Sequence, residues 1–475
     1  MSKMRMGSTI TTIPELIPAK FTDCEGQMIV PYLSIQTVYD GNSFFLDEFL
    51  DRSTLIEQIY GNGLDVESGW NTTQDNIRWL LDVFEEPPIV IERNLRPLSS
   101  RNNRQVYFKS NMDSSKIIKE PVGVCVNLEN NTITRLGAAQ GKSIDDFYNI
   151  LPWAGMRRCC LRDEGVVDRY FHEMGYVDDG TKGQCMVEIP MFYYKRVPTK
   201  VVNNSLVIWE DWVSYKAVNG FFVHPAFVRN DGTIRDKIYI GAYKASKDTD
   251  NNIFSIRCDS VNIALPINEV RPYVQKRNPG WELYSITHHS LMQLIYIIAS
   301  ASFDSQQIIG SGDYTSFRGT GKTSKMGSTC GVCDSAVNVF GVENLWSYQG
   351  TILDGLFIND NTYINTNGPA STTNEMLSFT LPKYSYSSTT DKRYTNRFGY
   401  DAKYDFLYLT SEAVASDNPF IPDVYISNNS LTNKILSVGF NADSVLKDQG
   451  LFLNNLYDPI TVKASWLGYR ICYLP

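Results

Sequence analysis

The chain has 475 residues, with 44 Lys and Arg against 52 Asp and Glu, a formal charge of −8; this acidic balance argues against a nucleic-acid binder, which needs a basic face. Apolar residues make up 43% and charged residues 20%, enough to build real cores and too apolar for disorder. At roughly 150 residues per domain, the length suggests about three domains, or two with one large.

Two helix signals come first. Thr54 and Glu57 make a capping box that opens a helix stopping at Gly61, the hydroxyl and carboxylate satisfying orphan N–H groups. Thr73 then precedes Ile77, Leu80, Leu81 and Phe84, one apolar stripe that Pro87-Pro88 ends. Residues 96–115 are polar, Asn/Ser-rich and locally basic, and read as a linker. Val122–Leu128 is a β-branched strand, Glu129–Asn131 a turn and Thr132–Leu136 the returning strand of a hairpin. Strand signals recur at Val187–Val197, Ser205–Trp212, Lys237–Tyr243 and Ala464–Leu474, around one strong helix candidate, His288–Phe303. Long Gly/Ser/Asn/Thr-rich connections such as Gly310–Ser335 and Asn359–Asn374 are uncommon in compact domains unless they serve a function.

The longest apolar run, Leu291–Ala301, contains Gln293 and falls well short of the ~18–20 residues that a membrane span requires. No apolar stretch follows the early Lys3 and Arg5, so no secretory signal is expected and the protein should be soluble in a cytoplasm. Nine cysteines leave at least one unpaired within the chain; reduced, buried thiols are the expectation.

Candidates for chemistry are few. Cys330 and Cys333 form a CxxC, for which two free thiols or a local structural role is the expectation; a redox pair or half a zinc site is the alternative, since no second CxxC exists to complete zinc and the pair sits in a Gly/Ser/Thr loop. Adjacent Cys159 and Cys160 cannot easily bridge each other. Adjacent His288 and His289 point about 100° apart on a helix and cannot share a metal, so one of them reads as a helix N-terminal residue. His172 and His224 are isolated, and 319–323 lacks the spacing of a phosphate loop. HExxH and GxSxG are absent. The expectation is a protein that is not an enzyme, with no cofactor and no metal.

Several stretches together resemble a known family. Gly183–Lys195 (GQCMVEIPMFYYK) is followed in order by Val223–Phe227 (VHPAF), Tyr239–Tyr243 (YIGAY), Asp304–Gly310 (DSQQIIG), Phe340–Trp346 (FGVENLW), Asp354-Gly355 and Trp466–Cys472 (WLGYRIC). The ordered series, over roughly 118–475, is similar to bacteriophage tail and tail-fibre proteins that carry a C-type-lectin-like domain of the formylglycine-generating-enzyme type, such as phage major tropism determinants. The family's enzymatic branch holds copper on two closely spaced cysteines near the C-terminus. Here no cysteine lies between Cys333 and Cys472, and Ile471 displaces Cys472 from the family pattern. The resemblance thus implies the binding branch.

The fold class expected is α+β and β-rich: a small mixed N-terminal domain (1–115) for virion attachment or assembly, a β-rich connecting segment (116–200), and a C-type-lectin-like domain (201–475) with long display loops. Phe192, Tyr194, Phe340, Trp346, Trp466 and Tyr469 are the expected signature core, with a tight turn at Gly341 and a last strand, from Gly468, closing beside the first. The resemblance implies a virion tail, tail-fibre or baseplate protein that attaches to a host-surface glycan or protein, alongside other virion tail or baseplate proteins and as a homo-oligomer, with a trimer as the form tail fibres suggest. The alternatives are a purely structural virion component, and an enzyme such as a degenerate oxidase or glycan hydrolase. Lectin-like loops often hold Ca²⁺, yet no D-x-[DN]-x-[DN]-G loop is present. The display face is expected on Gly310–Ser335 and Gly368–Arg397, the latter rich in Tyr, Ser, Thr and Asn. Tyr384, Tyr386, Tyr394 and Tyr400 are the expected receptor contacts, since aromatics dominate interface energetics.

Overall fold

A computed structural model describes residues 117–475 except 172, 259–262, 312–319, 321–336, 348, 365–373, 387–391 and 441–447, together with six short strands before residue 117. The chain divides into two compact units, Met1–Ser115 with His172–Gly175, and Lys116–Phe171 with Tyr176–Pro475. In the first unit, Thr9–Thr12, Lys3–Met6, Asn42–Leu46 and Ile35–Tyr39 form an antiparallel sheet in that order, and Phe21–Thr22 pairs with Met28–Val30. The helices read over 54–61 and 73–86, and the linker over 96–115, lie outside the described residues.

The second unit is β-rich, with the expected hairpin as its first element. Val122–Asn127 pairs with Thr132–Gly137, and Asn127 Oδ1 accepts from the Glu129 and Asn130 N–H groups in the turn. This hairpin belongs to a five-stranded antiparallel sheet ordered Phe222–Val223, Tyr193–Val202, Ser205–Ser214, Val122–Asn127, Thr132–Gly137. The two long strands meet at Asn203-Asn204, both at positive φ (50° and 55°), the turn whose twist matches that of the strands it joins. The expected boundary at residue 200 therefore falls inside one strand of this hairpin, and 116–200 is part of the same unit as 201–475.

The single strand expected over Val187–Val197 is two. Gln184–Pro190 lies in a six-stranded antiparallel sheet, ordered Val167–Tyr170, Arg157–Leu161, Gln184–Pro190, Lys237–Gly241, Ile471–Tyr473, Trp281–Leu283, and Tyr193–Val202 lies in the five-stranded one. Pro190 has no N–H to continue the ladder, and the chain changes sheets just after it. The C-terminal strand is also corrected: Ile471–Tyr473 sits between Lys237–Gly241 and Trp281–Leu283, not beside the unit's first strand. A third, seven-stranded mixed sheet gathers Arg393–Phe398, Thr410–Val414, Val424–Ile426, Asn454–Asn455, Ser437–Val438, Gly350–Ile352 and Leu467–Gly468.

The central helix runs Ile286–Ser300, close to the expected span, and is buried all round, as a helix apolar on every face must be. Ser285 caps it, its N–H donating to His288 Nδ1 at 3.2 Å; His288 is the helix N-terminal histidine. Ala301 enters the left-handed region (φ 51°) and ends the helix. His289 and Gln293, polar groups on a buried helix, both reach the Leu451 carbonyl, at 3.2 and 3.1 Å, as buried polar atoms require.

Candidate functional site

Gly368–Arg397, expected as a display loop, is described at 374–386 and 392–397 and is only partly loop. Arg393–Phe398 is a strand between Thr410–Val414 and Val424–Ile426. Tyr394 consequently points inward, its hydroxyl donating to Asp448 Oδ1 at 3.1 Å, and burial pushes that phenol up to about 12. Tyr384 is also interior: its hydroxyl donates to the Tyr425 carbonyl, and Arg393 lies 4.7 Å from its ring centre. These two expected contacts are therefore buried residues: Tyr394 on a strand covered by its neighbours, and Tyr384 in an irregular segment whose ring lies against Tyr425. Tyr386 is half-buried and packs on Val424, Ile426 and Leu453. Tyr400 is half-buried and is tied by its N–H to the Asn204 carbonyl at 2.7 Å. Apart from Gly310, Ser311 and Thr320, the Gly310–Ser335 loop, with Cys330 and Cys333 and the rest of the 319–323 turn, lies outside the described residues, as does His172.

Of the signature residues, Phe192, Tyr194, Phe340, Trp346 and Tyr469 are buried, whereas Trp466 is 46% exposed. Trp466 is thereby corrected. Ala464–Leu474 is not one continuous strand; Trp466 sits in a turn, its carbonyl accepting from Gly350 N–H at 2.8 Å, and Leu467 takes the interior position. The expected tight turn is the two-residue link Phe340-Gly341, with φ 48° and 96°, between Asn338–Val339 and Val342–Glu343. A side chain is strained at such angles.

Three buried cations hold the segment that follows this turn. Arg158 donates to the Gly341 carbonyl through Nη2 at 2.8 Å. Arg470 reaches Gly241 O at 2.6 Å, Glu343 O at 2.6 Å and Asn344 O at 3.2 Å. Lys244 donates to Gln349 O. Burial pushes Arg470 down to about 10 and holds Lys244 well below the ordinary ammonium range, with Arg470 adding repulsion. Buried N–H groups of charged side chains are costly unless satisfied; here backbone carbonyls take most of them and the Tyr243 hydroxyl takes Arg158 Nη1 at 3.3 Å, while Arg470 Nε is left without a partner.

A second charged group opens to solvent. Across the six-stranded sheet Glu188 stands directly opposite Arg157 on one side and Tyr239 on the other. Its carboxylate accepts from Arg157 (2.7 Å), Lys237 (2.8 Å), Tyr170 (3.0 Å) and Tyr239 (3.0 Å). Burial pushes Glu188 up, but the hydrogen bonds and charges of Lys237 and Arg157 overcome it and hold the carboxyl below its usual range. Arg157 and Lys237 are about two-fifths exposed, and Arg157 stacks 3.7 Å over Tyr170. This is a half-open patch of donors and an aromatic face, able to hydrogen-bond a polar surface.

The remaining candidates have internal duties. His224 caps the short turn Pro225–Phe227, Nδ1 accepting from Ala226 N–H at 3.3 Å, and rings of Phe192, Tyr194, Phe227 and Phe406 enclose it. Asp354 forms a two-point pair with Arg271 at 2.9 and 2.6 Å; Asp304 caps Ser305–Ile308. Cys472 is buried, and burial pushes its thiol up, away from reactivity. Among the described residues no three His, Cys, Asp or Glu side chains converge as a metal-binding group, and no helix is long and apolar enough to cross a membrane. Neither the ionic cluster around Glu188 nor the ring of carbonyls around Arg470 was expected; the sequence signal available for the first was charge on a strand face, which names no opposing residue.

No protein-family model and no curated protein sequence matches the chain.

Proposed function

We propose that this chain is a bacteriophage virion tail protein, at a tail-fibre, baseplate or receptor-binding position, that presents a C-type-lectin-like domain to a host-surface glycan or protein. One observation carries the reading. The motifs that suggest the family are far apart in sequence and adjacent in space: Gln184–Pro190, Lys237–Gly241 and Ile471–Tyr473 are consecutive strands, and Arg470 bridges Gly241 to Glu343 and Asn344. Such a framework holds its surface segments still while they bind, which limits the ordering cost of association. Residues 1–115 then serve virion attachment, the other tail or baseplate proteins and further copies of this chain being the partners.

Tyr386 and Tyr400 form the proposed contact face, which replaces the four-tyrosine set. Soluble chain added to host cells should compete with phage adsorption, and the Tyr386→Ala, Tyr400→Ala double variant should compete at least tenfold less well. Undiminished competition by that variant would exclude this face; no competition by the parent chain would exclude host binding. The interior positions of Tyr384 and Tyr394 favour a second reading, in which the domain only packs against neighbouring virion subunits. That reading expects no competition with adsorption and a loss of particle assembly when the Tyr386 surface is altered.

A further inference from the structure

We infer that Cys160 and Cys185 are an oxidation site: a pair of thiols placed to close a disulfide across two central strands of the six-stranded sheet. The register sets them directly opposite each other in the antiparallel pair Arg157–Leu161 and Gln184–Pro190. The backbone decides which kind of opposed pair this is. Cys185 N–H donates to Ser255 O at 2.7 Å, and Cys185 O accepts from Ala242 N–H at 2.8 Å. Both groups therefore point away from Cys160, so the two residues form a non-hydrogen-bonded pair, whose Cα atoms stand about 4.5 Å apart and whose side chains are closest. That separation lies at the short end of the range that disulfides span, about 4.4–6.8 Å.

The neighbouring thiol does not compete. Cys159 lies on the opposite face, opposed to Met186 and inside the apolar cluster with Leu161 and Tyr239; alternation leaves Cys160 alone facing Cys185. Both are free thiols, and both are buried. The Cys160 sulfur also lies 3.0 Å from the Val177 carbonyl, in the turn-rich segment that covers the pair. A hydrogen bond between the thiols holds Cys160 below the ordinary thiol range against the effect of burial, and with burial it holds Cys185 above that range. Cys160 is thus the better attacking thiol.

The oxidant is a low-molecular-weight disulfide. The Cys160 thiolate attacks one of its sulfurs, forming a mixed disulfide and expelling one thiolate. The Cys185 thiolate then attacks the Cys160 sulfur and expels the second. The two protons given up by the protein thiols go to the two expelled thiolates, and two electrons pass from protein to oxidant. The pair stays reduced where glutathione is reduced and closes in an oxidising medium, stapling the two strands after the fold is complete.

The test uses the full chain, fully reduced, freed of reductant and then held with oxidised glutathione under native conditions before alkylation. Non-reducing peptide mapping should find Cys160 linked to Cys185 with the loss of two hydrogens. The unfolding midpoint should rise by roughly 4 °C for a closed loop of about 25 residues. Cys185→Ser and Cys160→Ser should each abolish both effects. Recovery of both cysteines alkylated, a glutathione adduct that goes no further, a link through Cys159 instead, or a linked pair without a raised midpoint would each overturn the inference; none of these readings on the parent chain depends on a variant folding.

Discussion

Two pairs of opposite charge are directly opposed across strands in this molecule and differ in what covers them. Arg196 and Asp211 are directly opposed in the five-stranded sheet, and Arg157 and Glu188 are directly opposed in the six-stranded one. The first pair is sealed: both side chains are 1% exposed. Arg196 meets Asp211 at 2.6 and 3.0 Å and donates to Leu407 O at 2.9 Å, while Trp209 and Tyr408 each donate to Asp211 at 2.7 Å. Tyr194 extends the group to Asp405 at 2.5 Å. In the second pair Glu188 is covered but its cations reach water. A cross-strand ion pair is thus a lock where a loop closes over it and an adaptable surface where none does. The desolvation of a sealed pair is repaid only when every donor and acceptor is used.

The sharpest way to break this comparison is Asp211→Asn. It leaves the Arg196 charge buried without its counterion and should cost about 3–5 kcal/mol, read as a lower denaturant midpoint with an unchanged slope. A loss below about 1 kcal/mol would mean that the sealed pair is no lock.

The next effect is a pH dependence beside the sealed pair, at His224. Burial, with the nearby charges of His288 and Arg196, pushes its imidazole from 6.5 down to about 3. The unfolded chain therefore binds a proton below about pH 6.5 that the folded chain refuses, and stability falls with falling pH by about 1.4 kcal/mol per unit for this one group. Between pH 7 and 5 the loss from His224 should be about 2 kcal/mol. His224→Asn, which keeps an acceptor for Ala226 N–H, should remove that part of the slope. His288 and His289, held at about 4 and about 3 by burial, will retain theirs. Identical slopes in parent and variant would refute the assignment.

Glu188→Gln should cost less, about 1–2 kcal/mol, because the freed cations remain solvated. Its sign is the ordinary carboxylate one. The folded group is more acidic than the unfolded group, so its contribution is complete above about pH 4.3 and disappears as pH falls through the folded value. The variant should flatten the acid limb of the stability profile below about pH 4; a steeper limb would contradict the geometry. Smallest of all is Lys200→Ala, which breaks the exposed pair with Glu129, each side chain 47% exposed. It should change stability by less than about 0.5 kcal/mol, and an effect larger than that of Glu188→Gln would invert the rule that cover decides.

Much of the local structure was legible in the sequence. The hairpin from Val122, the central helix and the turn at Gly341 each depend on neighbours in sequence: β-branched runs flanking Glu129–Asn131, an apolar stretch of helical length, and a glycine at a left-handed position. So too were five of the six signature core residues, and the placing of one of the paired histidines at a helix start. Trp466 misled because an aromatic residue in a strand-like run takes a core position only if the run is one strand, and this run bends between Gly468 and Ile471. Tyr394 misled because a Tyr/Ser/Thr/Asn composition suits a display loop and a partly covered strand alike, and Tyr384 because an irregular segment can still bury its side chain against a neighbouring strand, here at Tyr425.

What the sequence by itself determined is β-rich character, one buried helix and the positions of the tight turns, since these follow from side-chain shape, apolar periodicity and backbone freedom within a few residues. Tertiary structure alone decided which strands became neighbours, and with them the opposing of Cys160 to Cys185, the encirclement of Glu188 and the sealing of Arg196 by residues 405–408. Period-two alternation assigns each side chain a face; only the register between strands, set by the packing of the whole unit, assigns it a facing residue.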